Sequence, residues 1–384
     1  MLTGDNGILS RAGEAKEKTE DAQNLEIRRM ATLEAATNLT ETTFQGVTIP
    51  AGFAPTRIEG ENTVAEGLVI TDSNGNEFVW VVVPTTGEVY STAGRSITEF
   101  TDAEYLKIAQ DLRNYSGSTI NNTSLADHLP PVGEGVPDYT SAYKDVLKSI
   151  YQNGGFYVGR YETGIQGTEE ATESARDYGT DYSNEHATTG DVAVIKENVQ
   201  PYTWVRWGQA QTLAQGISAG KKGDKTSSLL MGVQWDLILK FIGKEGDTDS
   251  HDWGNYRDSV FDLKQGSHYA KMSSYTLLST TWKAYNEDET GFVESSEKKS
   301  QSTGGNGILY TTGANTTNNS KKNICDIAGN VFEWTIENTY DSNRPCSFRG
   351  GGCSYPGSSR PASLRFLNST DGSNASIGFR VALY

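Results

Sequence analysis

The sequence predicts a mixed α+β fold preceded by a long N-terminal α-helix. Three observations carry that expectation. From Ser10 to Phe44 there is no Pro, Gly13 is the sole Gly, and weak apolar positions recur in three- and four-residue steps. From Thr63 onward short β-prone runs alternate with turn-forming pairs. Further on, two helical segments stand among long polar loops rich in Ser, Thr, Asn and Gly. The expected body is a small antiparallel sheet, two helices and much irregular loop.

The elements follow in order. Ile8, Ala12, Ala15, Ala22, Leu33 and Ala36 give the first helix a thin apolar stripe, and Glu14 and Lys18 form a favourable i,i+4 pair. Val64–Ile70 and Glu77–Val83 read as a hairpin turning at Asn74-Gly75. Residues 101–113 read as a helix capped by Thr101 or Asp102, with Tyr105, Leu106, Ile108, Ala109 and Leu112 as its core face. Residues 114–140 carry three Pro and read as a long loop. Ala142–Tyr151 is a short helix and Phe156–Glu162 a strand. Residues 166–190, 244–268 and 286–320 are polar and loop-like, with helices at Trp204–Gly216 and Leu229–Ile242. Val331–Thr335 should be an alternating strand after a turn at Gly329-Asn330. No internal repeat stands out.

Length and charge narrow the function. At 384 residues the chain can bury a real core. Its formal charge of −16 argues against DNA, RNA and anionic membrane surfaces as partners, because phosphate binding needs a basic face. No signal peptide stands out, and no run approaches the ~20 apolar residues of a membrane span. Three cysteines are too few for a disulfide scaffold. Cys346 and Cys353 could pair, leaving Cys325 as a buried thiol.

Few catalytic signals survive inspection. Gly216-Ile217-Ser218-Ala219-Gly220 fits G-x-S-x-G, but a helix precedes it where a nucleophile elbow needs a strand. His128, His186, His251 and His268 have no metal-ligand spacing. Asp247, Asp249 and Asp252 offer oxygens for Ca²⁺ without the Gly and terminal Glu of an EF-hand; a solvated acidic loop is the plainer reading.

The last 47 residues, Asn338 to Tyr384, contain no Lys, Gln, Glu, Met or Trp. Those five types make up 68 of the 384 residues, so about eight were due in a window that long. Gly, Ser, Asn, Arg, Tyr, Phe and Leu fill it instead.

A series of islands resembles a known group. Phe78-Val79-Trp80-Val81, Gly155-Phe156-Tyr157-Val158-Gly159-Arg160-Tyr161-Glu162, Pro201-Tyr202-Thr203-Trp204-Val205 and Leu230-Met231-Gly232-Val233-Gln234-Trp235 come first. Asn323 to Thr335, with its Asp-x-Ala-Gly-Asn-Val-x-Glu-Trp core, follows, then Phe348-Arg349-Gly350-Gly351 and Gly378-Phe379-Arg380-Val381. In this order they resemble the formylglycine-generating-enzyme-like group of C-type lectin folds over about residues 63–384. The resemblance implies a lectin-like domain at 46–384 with insertions near 114–140 and 286–320. Cysteine-oxidising members of that group use two copper-binding cysteines shortly after the Arg-Gly-Gly element. Here only Cys353 falls there, because Cys346 precedes Arg349, so an enzyme is not expected. Asn330 and Glu333 match positions near a cation in some relatives; no cofactor is required, and Ca²⁺ is an open possibility there.

One subgroup of that fold, the variable proteins of diversity-generating retroelements, is similar in its C-terminal anomaly. Their randomised Asn codons yield fifteen residue types, and the five excluded are those missing from this tail. The resemblance implies a diversified receptor that binds a protein or other surface ligand through a variable region at 348–384. Phe348–Gly351, Pro361-Ala362-Ser363 and Gly378–Tyr384 would be its fixed frame. The expected ligand-binding positions are Cys353, Tyr355, Gly357, Ser358, Ser359, Arg360, Leu364, Phe366, Leu367, Asn368, Asp371 and Ser373. Burial of Leu364, Phe366 and Leu367 in the core is the competing reading. Arg365 and Arg380 are expected to brace the fold. The alternatives are a non-diversified adhesin or glycan-binding module and, less favoured, a cysteine-oxidising enzyme.

Residues 2–19, from Leu2-Thr3-Gly4-Asp5-Asn6-Gly7-Ile8-Leu9 through Arg11 to Thr19, resemble the segment that follows the hydrophobic helix of type IV pilin-like proteins from Gram-positive bacteria. That resemblance implies a pilin-like segment at 1–45, its apolar helix missing and Met1 an added start. It also implies assembly into a pilus through the helix and display at the bacterial surface.

Overall fold

The computed structural model describes residues 4–117, 130–131, 136–168, 191–218, 225–259, 264, 266–273, 276–277, 282–284, 307–314, 320–339 and 341–384. Most of the loops expected at 114–140, 166–190 and 286–320, with His128, His186, Ala219 and Gly220, lies outside them.

The chain begins with helix α1, Gly4–Thr37. Its docked face is not the stripe expected from Leu33 and Ala36. Ala31 and Ala35, one turn apart, are buried instead, while Leu33 is 65% exposed. Small side chains allow the helix to lie close to strands β1 (Phe53–Pro55) and β2 (Val69–Asp72). Arg28 completes the attachment. It pairs with Glu61 at 2.5 Å and with Glu77, and Arg160 of the domain reaches the same two carboxylates at 2.8 and 3.0 Å.

Strand β2 turns into β3 (Glu77–Val82) as an antiparallel hairpin. Asp72 makes the turn, since its Oδ1 accepts the N–H groups of Asn74 and Asn76 at 2.8 and 2.9 Å. Val64–Leu68, expected as strand, is turn and coil. Helix α2 (Asp102–Ser116) starts at Thr101, whose Oγ1 accepts the N–H of Glu104. It runs three residues into the expected loop and ends at left-handed Gly117. Helix α3 (Thr140–Asn153) leads into β4 (Gly155–Gly159). Helix α4 (Trp207–Gly216) is followed by β5 (Ser227–Leu229) and α5 (Gly232–Phe241). Every residue of α5 except Lys240 is buried, so it forms the centre of the molecule rather than a surface layer.

Two sheets enclose that centre. After β6 (Phe332–Asn338) come β7 (Cys346–Arg349), β8 (Phe366–Asn368), β9 (Ile377–Phe379) and β10 (Val381–Leu383). One sheet has the order β1-β2-β3-β4-β10-β5, so the chain's last strand lies inside it. The other has the order β8-β7-β6-β9, with β6 and β9 parallel. Strand β6 was expected to alternate; all seven of its residues are buried, because helices and tail cover both its faces. A further strand, Ile308–Tyr310, pairs with His268–Ser273 inside a segment expected as loop.

Arg380 sits at the switch between β9 and β10 and joins the sheets. Its Nε and Nη2 donate to Glu333 of β6 at 2.7–3.1 Å. Its remaining N–H groups reach the carbonyls of Gly159 and Cys325 at 2.9 and 2.8 Å. A buried guanidinium is tolerated there because its donors are met by a carboxylate and carbonyls.

Replacing Arg28 with Met keeps the helix packing but leaves Glu61 and Glu77 to share Arg160 alone. The expected outcome is faster proteolysis between residues 20 and 40 and a loss of about 1–3 kcal/mol in urea unfolding. Unchanged cleavage kinetics would show that the alanine face alone holds the helix.

Candidate functional site

The tail residues are sorted by what their neighbours do. Gly350 and Gly351 adopt φ of 92° and 75°, which glycine alone adopts without strain. A Cβ on Gly351 would lie 2.2 Å from the carbonyl oxygen of Arg360, so the missing side chain admits the 360 backbone. The Pro361-Ala362-Ser363 stretch is then bolted down. Ala362 N–H donates to Ser250 Oγ (3.0 Å), Ala362 O accepts Trp235 Nε1 (3.0 Å), and Ser363 Oγ donates to Asp247 O (2.6 Å).

Beneath it lies a closed ring of two arginines and two carboxylates. Arg349 of β7 pairs with Asp236 of α5 at 2.5 Å and Glu337 of β6 at 3.0 Å. Arg365 pairs with Glu337 at 2.5 Å and with Asp236. No side chain of the four is more than 5% exposed. Successive residues of an extended strand point to opposite faces. Arg365 points in, and its neighbours Leu364 and Phe366 are both half-buried.

Phe366 therefore stands at the edge of the second sheet, paired with Phe348 across the β7–β8 ladder. The two rings stack with centroids 5.2 Å apart. Phe332 lies 4.6 Å from Phe348, and Tyr355 lies 5.7 Å from Phe332. Together these rings floor a concavity of about 230 Å³, completed by Arg360, Asn368, Asn374, Ser376 and Ile377. The Arg360 guanidinium lies 4.5 Å from the Phe366 ring centroid and 5.3 Å from that of Tyr355.

Four of the twelve expected positions, Tyr355, Arg360, Phe366 and Asn368, thus meet in one concavity. Ser358, Ser359 and Asp371 are exposed on the tail loops, and Leu364 and Leu367 are half-buried. Neither the free-surface nor the buried-core reading of Leu364, Phe366 and Leu367 holds in full; all three are intermediate.

The remaining three are corrections. Cys353 is buried in a small cluster with Trp204, Met272 and Leu309. Gly357 is buried, its N–H donates to Asp258 (3.0 Å), and a Cβ there would strike the His251 backbone at 2.3 Å. Ser373 is 7% exposed. Sequence reasoning missed the floor residues Phe332 and Phe348, which lie before or within the expected frame. It also missed Asn374, Ser376 and Ile377. Asn374 had a signal, being an Asn in the gap between frame segments.

Thiol chemistry finds poor ground here. Cys325, Cys346 and Cys353 are all buried free thiols. Burial pushes Cys353 and Cys346 up to about 12 and Cys325 up to about 11, so each stays protonated at neutral pH.

Asn330 and Glu333 do not fit a calcium ion. Both Glu333 oxygens accept from Arg380. The Asn330 amide donates to Glu162 and Tyr310 O, and its oxygen accepts from Asn255 and Tyr310 N. Asp249 and Asp252 flank His251 at 2.8 Å each, and Asp247 accepts the Trp253 indole N–H. Among the described residues no three His, Cys, Asp or Glu side chains gather as a metal site.

Two measurements follow from these networks. Arg365→Met strands Asp236 and Glu337 with one guanidinium, an expected loss of about 3–5 kcal/mol in urea unfolding; Leu364→Ala, half-buried, should cost under about 2. Equal costs would refute the in–out assignment. Separately, burial raises Asp326 to about 7, from an ordinary value of 3.8. The folded state then holds a proton that the unfolded chain has released, so this group's contribution is full below about pH 4 and is lost as pH rises through 7. Asp326→Asn keeps an acceptor for Gly313 N–H. It should gain stability relative to the parent between pH 4 and 8, and a pH-independent difference would contradict the assignment.

The model of the sulfatase-modifying factor enzyme 1-like domain matches residues 141–384. No curated protein matches. Among solved structures, the crystal structure of CarF is similar at 15% identity and a TM-score of 0.32, covering 59% of this chain and 85% of that one. Treponema denticola variable protein 1 is similar at 15% identity and a TM-score of 0.31, covering 60% and 84%. The domain model spans more than half of the sequence, and the chain belongs to the sulfatase-modifying factor enzyme 1-like family.

Proposed function

We propose that this chain is a ligand-binding receptor whose recognition face is the concavity at β7, β8 and the 355–360 loop, and that this face is diversified by mutation. One observation carries the reading. The tail segment that lacks five residue types supplies most of the lining of a solvent-open aromatic hollow. A face made of Tyr, Phe, Arg, Asn and Ser has the chemistry of a protein-binding paratope: rigid rings as anchors, amides and hydroxyls as adaptable partners. Buried frame residues separate from exposed candidates along the tail, as a scaffold that must survive substitution requires. Display on the bacterial surface, with pilus assembly through the N-terminal helix, is the companion proposal and rests on the sequence of residues 2–19.

The test is to sequence this locus in sibling strains. Substitutions should concentrate at Tyr355, Ser358, Ser359, Arg360, Leu364, Phe366, Leu367, Asn368, Asp371 and Asn374. Arg349, Gly351, Arg365 and Arg380 should stay fixed. A near-identical second copy with adenines at those codons should lie beside a reverse-transcriptase gene. Variation scattered over the whole chain, or none, sinks diversification.

A further inference from the structure

Among the described residues Arg360 is the one charged side chain lining the concavity. Among the described residues its guanidinium makes a single hydrogen bond, from Nη1 to the carbonyl of Ser359 at 2.9 Å. No carboxylate pairs with it among them. The other large networks here are different: Arg28, Arg160, Arg349, Arg365 and Arg380 each have an acidic partner. Arg360 is instead packed against two rings, with most of its donors unspent among the described residues.

That arrangement selects a ligand. The ring faces of Phe366 and Tyr355 already carry a cation, so a ligand cation would meet both an occupied face and a like charge. A carboxylate would find a planar donor fork that the rings hold in place. The four rings of the floor add an apolar contact beside it. The hollow, at about 230 Å³, falls below the roughly 300–1,000 Å³ of small-molecule pockets. It suits one inserted side chain. A polyanion such as nucleic acid is disfavoured by the net charge of −16.

We infer that the concavity of this copy recognises a protein surface that presents an apolar side chain next to a carboxylate, the first seated on Phe332, Phe348 and Phe366 and the second paired with Arg360. This rests on the reading of the tail face as the recognition surface.

The experiment uses three end-capped hexapeptides, Gly-Gly-Phe-Glu-Gly-Gly and its Gln and Lys versions, titrated into the full chain and followed by NMR shifts of Phe, Tyr and Arg side chains. The Glu peptide should bind at least fivefold tighter than the Gln peptide and shift Arg360 and Phe366 signals. The advantage should shrink at high salt. Arg360→Gln should bring the Glu and Gln peptides to equal affinity, and Arg360→Lys should retain part of the Glu peptide's advantage. Thermal midpoints of both variants should stay near the parent's, since Arg360 is half-buried and pairs with no carboxylate among the described residues. If the Gln or Lys peptide binds in the hollow as tightly as the Glu peptide, the acidic ligand class is overturned while the recognition face stands. If no peptide shifts any residue of the hollow, both readings are overturned.

Discussion

The ring formed by Arg349, Arg365, Asp236 and Glu337 is the constraint on which the proposed recognition face depends. Its members come from a central helix, two adjacent strands and the approach to an edge strand, so it fixes four pieces of chain at one point. Two cations and two anions cancel, and each carboxylate is shared between both guanidinium groups. Burying such charges costs heavily unless the geometry is complete. Apolar side chains of equal volume could hold these layers together as firmly. They would not fix the direction of residue 365, and that direction is what leaves Phe366 at the edge of the hollow.

The same device recurs where the chain must be pinned without a large apolar contact. Arg380 ties the two sheets at the residue where one extended run passes from the second to the first. Arg28 and Arg160 share Glu61 and Glu77 where the N-terminal helix meets the domain over little more than Ala31 and Ala35. A chain with 35% hydrophobic residues and many loops has limited apolar area to spend on positioning. Paired buried charges supply direction instead. Arg360 is the contrast, because its cation packs on two rings and most of its donors make no hydrogen bond among the described residues.

Much of this was legible in the sequence. Asn-Gly marked the first hairpin, Thr101 marked the start of α2, and the Arg-Gly-Gly and Gly-Phe-Arg landmarks bounded the tail. Arg365 and Arg380 were readable as braces, since an arginine between apolar residues must find a buried partner or face water. Local pattern could not reveal what depends on distant contacts. The docked face of α1 follows Ala31 and Ala35 because close approach matters more there than side-chain size, and hydrophobicity alone favours Leu33. Strand β6 carries Glu333, Thr335 and Glu337 inward, which looks like alternation until the partner arginines are in place. Cys353 and Gly357 resembled their exposed neighbours in composition; the Trp204 cluster and the His251 backbone decided their burial.

That distinction bears on how a face can vary without unfolding its scaffold. Side chains that reach the hollow pack mainly against one another: Phe366 on Phe348, Arg360 on Phe366 and Tyr355. Changing one alters the hollow's shape and charge but strands no buried partner, so the fold bears little of the cost. Changing Arg365 strands two carboxylates. The boundary between what can be rewritten and what cannot therefore runs between adjacent residues, 365 and 366. It is set by the alternation of an extended chain and by a closed ring of charge on its inner side.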